Sequence, residues 1–168
     1  CAGNVCRLRL PREPRAGLWQ VFGSSPGGML PSVEFKKTQR AVYPDWWGGG
    51  GLEYNAWKKQ DAAARDGHAK AFQAALDSVQ RHGGTVRIAP GTYYLTRALR
   101  IHGGTTLSGD TPNCARMNWF DSDGIVVDPG AADTEISGIR MGRYATSSPL
   151  PPARFDGIRF SEATDLRI

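Results

Sequence analysis

Apolar residues recur at helical spacing between positions 69 and 82. Phe72, Ala75, Leu76 and Val79 fall at i, i+3, i+4 and i+7, which puts them in one stripe along one face. Ala69, Ala71, Ala74 and Ala75 add helix propensity, Asp66 offers an N-cap carboxylate, and Gly83-Gly84 stops the run. The pattern predicts an amphipathic helix over 69–82. Directly afterwards the period shortens to two. Thr85-Val86-Arg87-Ile88 reads as a short strand, and Pro90-Gly91-Thr92-Tyr93 as a turn running into Tyr94-Leu95-Thr96. Two more short strands follow at Leu99–Ile101 and Thr105–Leu107, with Gly103-Gly104 between them.

The chain before position 52 has no sustained period. Pro11, Pro14, Pro26, Pro31, Pro44 and the run Gly48 to Gly51 interrupt it every few residues, leaving short extended pieces at Leu18–Phe22 and Val33–Phe35. An irregular leader or adaptor is expected over 1–51 and a folded unit over 52–168. Trp46-Trp47 admits two readings. Flat rings suit sugar faces, but aromatic anchors that pin the leader onto the folded body are the stronger expectation.

Beyond position 120 the chain repeats itself. Asp123-Gly124-Ile125-Val126-Val127 followed by Thr134-Glu135-Ile136 is one copy, and Asp156-Gly157-Ile158-Arg159-Phe160 followed by Thr164-Asp165-Leu166 is the other. A hairpin meander would use Asp-Gly to join paired strands. Here each Asp-Gly opens a strand instead, as in stacked coils of a parallel β-solenoid, with 142–154 inserted as a loop. The inward positions Ile125, Val127, Ile136, Ile158, Phe160 and Leu166 need neighbouring coils to bury them. The first coil also needs a cover for its open edge, and the helix over 69–82 is the natural cap. Asp165-Leu166-Arg167-Ile168 stops in mid-coil without a second cap. The expectation is the N-terminal portion of a longer protein, or an open end covered by another chain.

Composition narrows the classes. Gly (21) and Pro (11) disfavour a helix bundle. No apolar run reaches the ~18 residues of a membrane span, and an aromatic content of 10% argues against full disorder. The net charge of +5 resides in residues 1–60, where nine basic side chains meet four acidic ones. A nucleic-acid reader would show a basic stripe with stacking aromatics on a folded face, and none is legible here, so no nucleic-acid partner is expected. The basic leader would suit an anionic surface, although a solvated arm is the stronger reading.

There are three cysteines, Cys1, Cys6 and Cys114, with no Cys-x-x-Cys pair, and His68, His82 and His102 lack ligand spacing. No metal site is expected. Cys1-Ala2-Gly3 looks like the start of a mature bacterial lipoprotein, whose first thiol carries the lipid and would be the only membrane link. A chain simply cut there would look the same. With Cys1 lipidated, Cys6 and Cys114 would remain as a disulfide in an oxidising compartment.

Two local constellations could carry chemistry. Asp121-Ser122-Asp123 places carboxylates at i and i+2, on one face of an extended segment. Such a pair could divide acid and base roles or share a cation; the plainer reading has Asp123 capping the Gly124 turn and Asp121 solvated. Arg143 beside Tyr144 could pair with a sugar carboxylate while the ring stacks. Arg140, alternating with Ile139 and Met141, reads as an ordinary outward side chain. The loop 142–154, carrying Ser147-Ser148, Pro149, Pro151 and Pro152, is a projecting loop of the kind that binds ligands.

Four motifs in order carry a family resemblance: Phe72-Gln73-Ala74-Ala75-Leu76-Asp77, Gly83-Gly84-Thr85-Val86, Pro90-Gly91-Thr92-Tyr93, and Thr106-Leu107-Ser108-Gly109-Asp110. Residues 66–110 thereby resemble the start of the right-handed parallel β-helix proteins of the pectate-lyase-like superfamily. Tyr54-Asn55-Ala56 and Asp66-Gly67 are a looser upstream copy, with His68-Ala69 where an acidic pair is usual. The resemblance spans about 52–168 and leaves the leader outside. It implies an all-β solenoid, a right-handed parallel β-helix with an N-terminal capping α-helix. It also implies a polysaccharide partner and an extracellular or cell-envelope lyase, hydrolase or epimerase. Two other roles on the same fold are a phage tailspike, a homotrimer on the virion tail with 1–51 as adaptor, and a non-catalytic glycan-binding scaffold. The Asn-Thr-Asp and Gly-His-Gly of polygalacturonases and the calcium-carboxylate cluster of pectate lyases are not in this sequence. No cofactor is evident, calcium enters only through the resemblance, and the catalytic residues are expected outside this segment.

Overall fold

The computed structural model describes residues 7–10, 20–23, 30–35, 41–112, 114–120, 122–144 and 157–168. Two strands, β1 (Arg7–Leu10) and β2 (Ser32–Phe35), pair in parallel within the leader. A 3-10 turn at Pro44–Trp47 leads to helices α1 (Tyr54–Lys59) and α2 (Ala62–Val79). Ten strands follow: β3 (Gly84–Ile88), β4 (Gly91–Leu95), β5 (Leu99–Ile101), β6 (Thr105–Gly109), β7 (Ala115–Phe120), β8 (Ile125–Val127), β9 (Ala132–Ser137), β10 (Ile139–Tyr144), β11 (Ile158–Arg159) and β12 (Thr164–Arg167).

Every pairing among them is parallel, in three sheets ordered β12-β9-β6-β3, β10-β7-β4 and β11-β8-β5. The chain thus visits the three sheets in rotation, and each set of three consecutive strands forms a layer on the one before. Such short strands bury their apolar side chains only by stacking. Val86, Leu107 and Ile136 occupy one column of the interior, and Leu99 with Ile125 another.

Helix α2 starts earlier than the pattern predicts. Asp61, not Asp66, is its N-cap, accepting a hydrogen bond from the Ala64 amide at 2.8 Å. Ala62, Ala63, Ala64 and Arg65 are strong helix formers that extend the run backwards. Asp66 instead sits inside the helix, paired with Lys70 at 3.1 Å and with Arg97. The helix packs against β3, β4 and β5, so it lies over the first layer, and Phe72, Leu76 and Val79 are fully buried there.

Three further expectations are corrected. Tyr93 lies in strand β4 rather than in a turn, since the chain bends only at Pro90. Phe160 is 55% exposed, because it lies just past β11, the edge strand of its sheet, with no described layer over it. The two copies of the repeat keep register at Ile158 against Ile125, but then slide: Thr164 lies opposite Ala132 and Leu166 opposite Thr134. The slide aligns Asp133 and Asp165, both in the left-handed region at φ 52° and 51°. Asp tolerates that region better than most residues. Backbone shape, not the Thr-acid-aliphatic pattern, sets the second half of the register.

The edge of the first layer is covered strand by strand. Val42 adds to β3, its amide donating to Thr85 O at 3.0 Å and its carbonyl accepting from Arg87 N at 2.9 Å. Leu52 donates to Thr92 O of β4 at 2.9 Å. For β5 the cover is the side chain of Gln73 on α2, which accepts from Arg100 N at 2.9 Å and donates to Arg100 O at 3.1 Å. An open parallel edge is a template for unwanted pairing, and all three are occupied here. Phe22, Val33, Phe35, Val42, Trp46 and Trp47 of the leader join the same hydrophobic cluster as the interior of the sheets. Among the described residues no helix is long and apolar enough to cross a membrane.

Candidate functional site

Asp123 does not stand free. Its carboxylate meets the Arg159 guanidinium of the next layer at 3.0 Å. The pair ties β11 to the turn before β8. Asp121 lies outside the described residues, as do Cys1, Cys6 and positions 145–156. Cys114 carries an exposed free thiol. Arg143 lies opposite Trp119 in the β10–β7 ladder and borders a cleft of about 170 Å³ with Ser122, Gly124, Met141 and Gly157. The structure therefore brings Arg143 and the 122–124 turn onto one small cleft. The backbone of Tyr144 lies opposite Phe120.

A second constellation, which sequence spacing did not reveal, centres on His102. Its Nδ1 lies 2.5 Å from Asp128 Oδ2, and its Nε2 lies 3.5 Å from Asp77 Oδ1. Asp77 sits near the end of α2 and Asp128 follows β8, so the imidazole bridges helix α2 and the end of β8. The hydrogen bond to Asp77, opposed by burial and reinforced by Asp128, raises the imidazole above its ordinary value. It borders a cleft of about 720 Å³ with Glu34, Arg81, Arg97 and Arg100. Each of these arginines already has a carboxylate: Arg81 with Glu34, Arg97 with Asp66, Arg100 with Asp128. With both ring nitrogens engaged, His102 has no nitrogen left to take a substrate proton. The constellation is an ionic strut.

The third candidate is the outer face of the β4-β7-β10 sheet. Side chains alternate along its strands. Tyr93, Leu95, Met117 and Trp119 belong to the interior, while Tyr94 and Phe120 form a separate aromatic cluster with Trp57 of α1. Trp57 packs on Phe120 with centroids 4.5 Å apart, and Arg65 lies 5.4 Å from the Trp57 ring centre. Tyr54 completes the group, parallel to Phe120 within 6° at 6.3 Å and 38% exposed. Trp57, Tyr94 and Phe120 are themselves buried, so Tyr54 is the ring of this group that is open to stack against a flat, weakly polar partner. By contrast Trp46 and Trp47 are 2% exposed and have no face left for a sugar.

The aromatic cluster was not legible as a site because its members are far apart in sequence. The one local signal was Tyr54 and Trp57, three apart on a short helix. The architecture defines a class: a predominantly parallel β protein with few helices. Comparison with family models, curated proteins and solved structures yields no match.

Proposed function

We propose that this chain is a right-handed parallel β-helix of the pectate-lyase-like kind, belonging to an extracellular or envelope protein that acts on polysaccharide. Its task within that protein is to hold a glycan chain along the outer face of the β4-β7-β10 sheet. The observation that carries the reading is the aromatic group on that face, with Tyr54 half open to solvent and backed by Phe120 and Trp57. The parallel pairing, the rotation through three sheets and the helix over the first layer support the architecture. Sugar rings present flat C–H faces, and an aromatic ring held by packing on its neighbours, as Tyr54 is on Phe120 and Trp57, loses little side-chain freedom on binding them. Asp123 and His102 are both engaged in ion pairs within the chain, so bond cleavage is assigned to residues other than these.

The test is affinity electrophoresis of the protein through gels holding neutral or acidic polysaccharides, with Tyr54→Ala beside it. Retardation by at least one polysaccharide, reduced about tenfold in affinity by Tyr54→Ala (about 1.4 kcal/mol), is expected. Free migration in every gel, or retardation indifferent to Tyr54, would overturn the reading.

A further inference from the structure

The aromatic group on the outer face of the β4-β7-β10 sheet is closed by a short piece of chain. Tyr94 of β4 and Phe120 of β7 face away from the interior yet are buried, because Trp57 of α1 lies on both, its ring centre 5.4 Å from that of Tyr94 and 4.5 Å from that of Phe120. Large apolar rings that face outward from a sheet stay dry only while something covers them. The cover is a flap, residues 53–60, fixed at its two ends. Before it, Leu52 N donates to Thr92 O of β4 at 2.9 Å, and after it Asp61 caps α2. Four successive glycines, Gly48 to Gly51, lie just upstream of Leu52.

Little else fastens the flap. Its helix has six residues and no side-chain N-cap bond, and helices shorter than ~12 residues are marginal without tertiary support. Glu53, Lys58 and Lys59 make no ion pair among the described residues, whereas Asp66 and Asp77 tie α2 to Arg97 and His102. Trp57 Nε1 and Gln60 Oε1 are buried with no hydrogen-bond partner among the described residues, a cost of the closed position that opening relieves. Against opening stands the Arg65 guanidinium, 5.4 Å from the Trp57 ring centre, whose cation–π contact is given up when Trp57 moves away. The rings under the flap form a cluster separate from the interior, so lifting it leaves the core of the sheets packed.

We infer that residues 53–60 are a lid, in equilibrium between a closed position, in which Tyr54 is the open ring of the group, and an open one, which adds the faces of Tyr94 and Phe120. A ligand shifts such an equilibrium only by binding one state better, and the two extra rings supply that difference. The inference rests on the glycan-holding role proposed above and adds how access to that site is governed. While the closed position dominates, the apparent affinity is the open-state affinity reduced by the fraction open.

Two exposed positions away from the rings move the equilibrium in opposite directions. Glu53→Asp sets a strong N-cap of unchanged charge at the start of α1 and favours the closed lid, and Ala56→Gly weakens the helix and favours the open one. Affinity electrophoresis through polygalacturonate, mannan and xylan is expected to show binding weakened about fivefold in Glu53→Asp and strengthened about fivefold in Ala56→Gly. Amide hydrogen exchange reads the lid itself through the Trp57 and Gln60 amides, which donate to Glu53 O and Trp57 O. They are expected to exchange faster than Phe72 and Leu76 of α2, slower again in Glu53→Asp and faster in Ala56→Gly, at level thermal midpoints. Affinities that ignore both variants, or that rise with Glu53→Asp and fall with Ala56→Gly, overturn the lid while the glycan role stands. Exchange at Trp57 as slow as at Leu76 does the same. Absence of binding to all three polysaccharides by all three proteins overturns the glycan role and the lid together, and fast exchange at Trp57 then marks only a fraying helix.

Discussion

The carboxamide of Gln73 and the peptide group of Arg100 form a reciprocal pair, with Gln73 Oε1 accepting from Arg100 N at 2.9 Å and Gln73 Nε2 donating to Arg100 O at 3.1 Å. A primary amide has the same donor and acceptor as a backbone peptide. The side chain thus does for the open edge of β5 what a neighbouring strand would do. Asp77 accepts a further hydrogen bond from Gln73 Nε2 at 2.8 Å, which orients the amide. Replacing Gln73 with Ala leaves the Arg100 groups to water and is expected to lower stability by about 1 kcal/mol, since the site is exposed. Gln73→Glu keeps the acceptor but sets a carboxylate against the Arg100 carbonyl, so it should not rescue. Urea midpoints of the three proteins check this; equal midpoints would remove the edge-capping role.

His102 makes stability depend on pH with a definite sign. Its folded value is raised by Asp77 and Asp128, whereas in the unfolded chain it titrates near its ordinary ~6.5. A raised value means the folded state holds the proton more tightly, so the stabilisation is complete below the unfolded value. It is lost as pH rises through the folded one. Chemical unfolding from slightly acidic to alkaline pH should show stability falling across that window. His102→Gln should flatten the fall. A wild-type curve that rises there, or a His102→Gln curve of unchanged slope, would refute the strut between α2 and the end of β8.

Local order was legible in the sequence, and long-range order only in part. The 3.6 period from Phe72 to Val79, the glycines after it and the short strands up to Leu107 are statements about neighbours, and they reappear in α2 and β3 to β6. Strand β7 hid because its outward positions Asn118 and Phe120 are buried under other elements, which erases the alternation that marks a half-exposed strand. Val42, Leu52 and Gln73 gave no sign that each would cover an edge, because that role exists only when the first layer is already built. The lid was equally invisible. Trp57 is an ordinary residue of a short helix until the sheet sets Tyr94 and Phe120 beneath it.

Gly83 is fixed by geometry that no other residue can meet. Its φ is +71°, and a Cβ there would sit 2.8 Å from the Gly104 carbonyl oxygen of the next layer. The chain turns at this point from α2 into β3, and Gly84 N then donates to that same carbonyl at 3.0 Å. Gly83→Ala combines left-handed strain with a backbone clash and is expected to cost about 1–3 kcal/mol. Gly67→Ala is the control, because nothing lies within 4 Å of a Cβ added there and it sits in a helix, where Ala is preferred. A lower thermal midpoint for Gly83→Ala together with a level or higher one for Gly67→Ala is the expected outcome; the reverse order would contradict the close approach of the first two layers.

Trp47 tests whether the leader belongs to the folded unit. Its ring is buried, 4.7 Å from that of Phe22 and 6.4 Å from that of Trp46, and the 3-10 turn that carries it packs on α2. A large aromatic truncated inside a close-packed core costs about 3–5 kcal/mol. If the leader were an arm that merely rests on the surface, Trp47→Ala would instead release residues before position 52 and leave the sheets at their original stability. Hydrogen exchange separates the two. Faster exchange at Val86 and Leu107, in the interior ladder of β3 and β6, is expected for the variant; faster exchange confined to the leader would show that the aromatic anchor holds only itself.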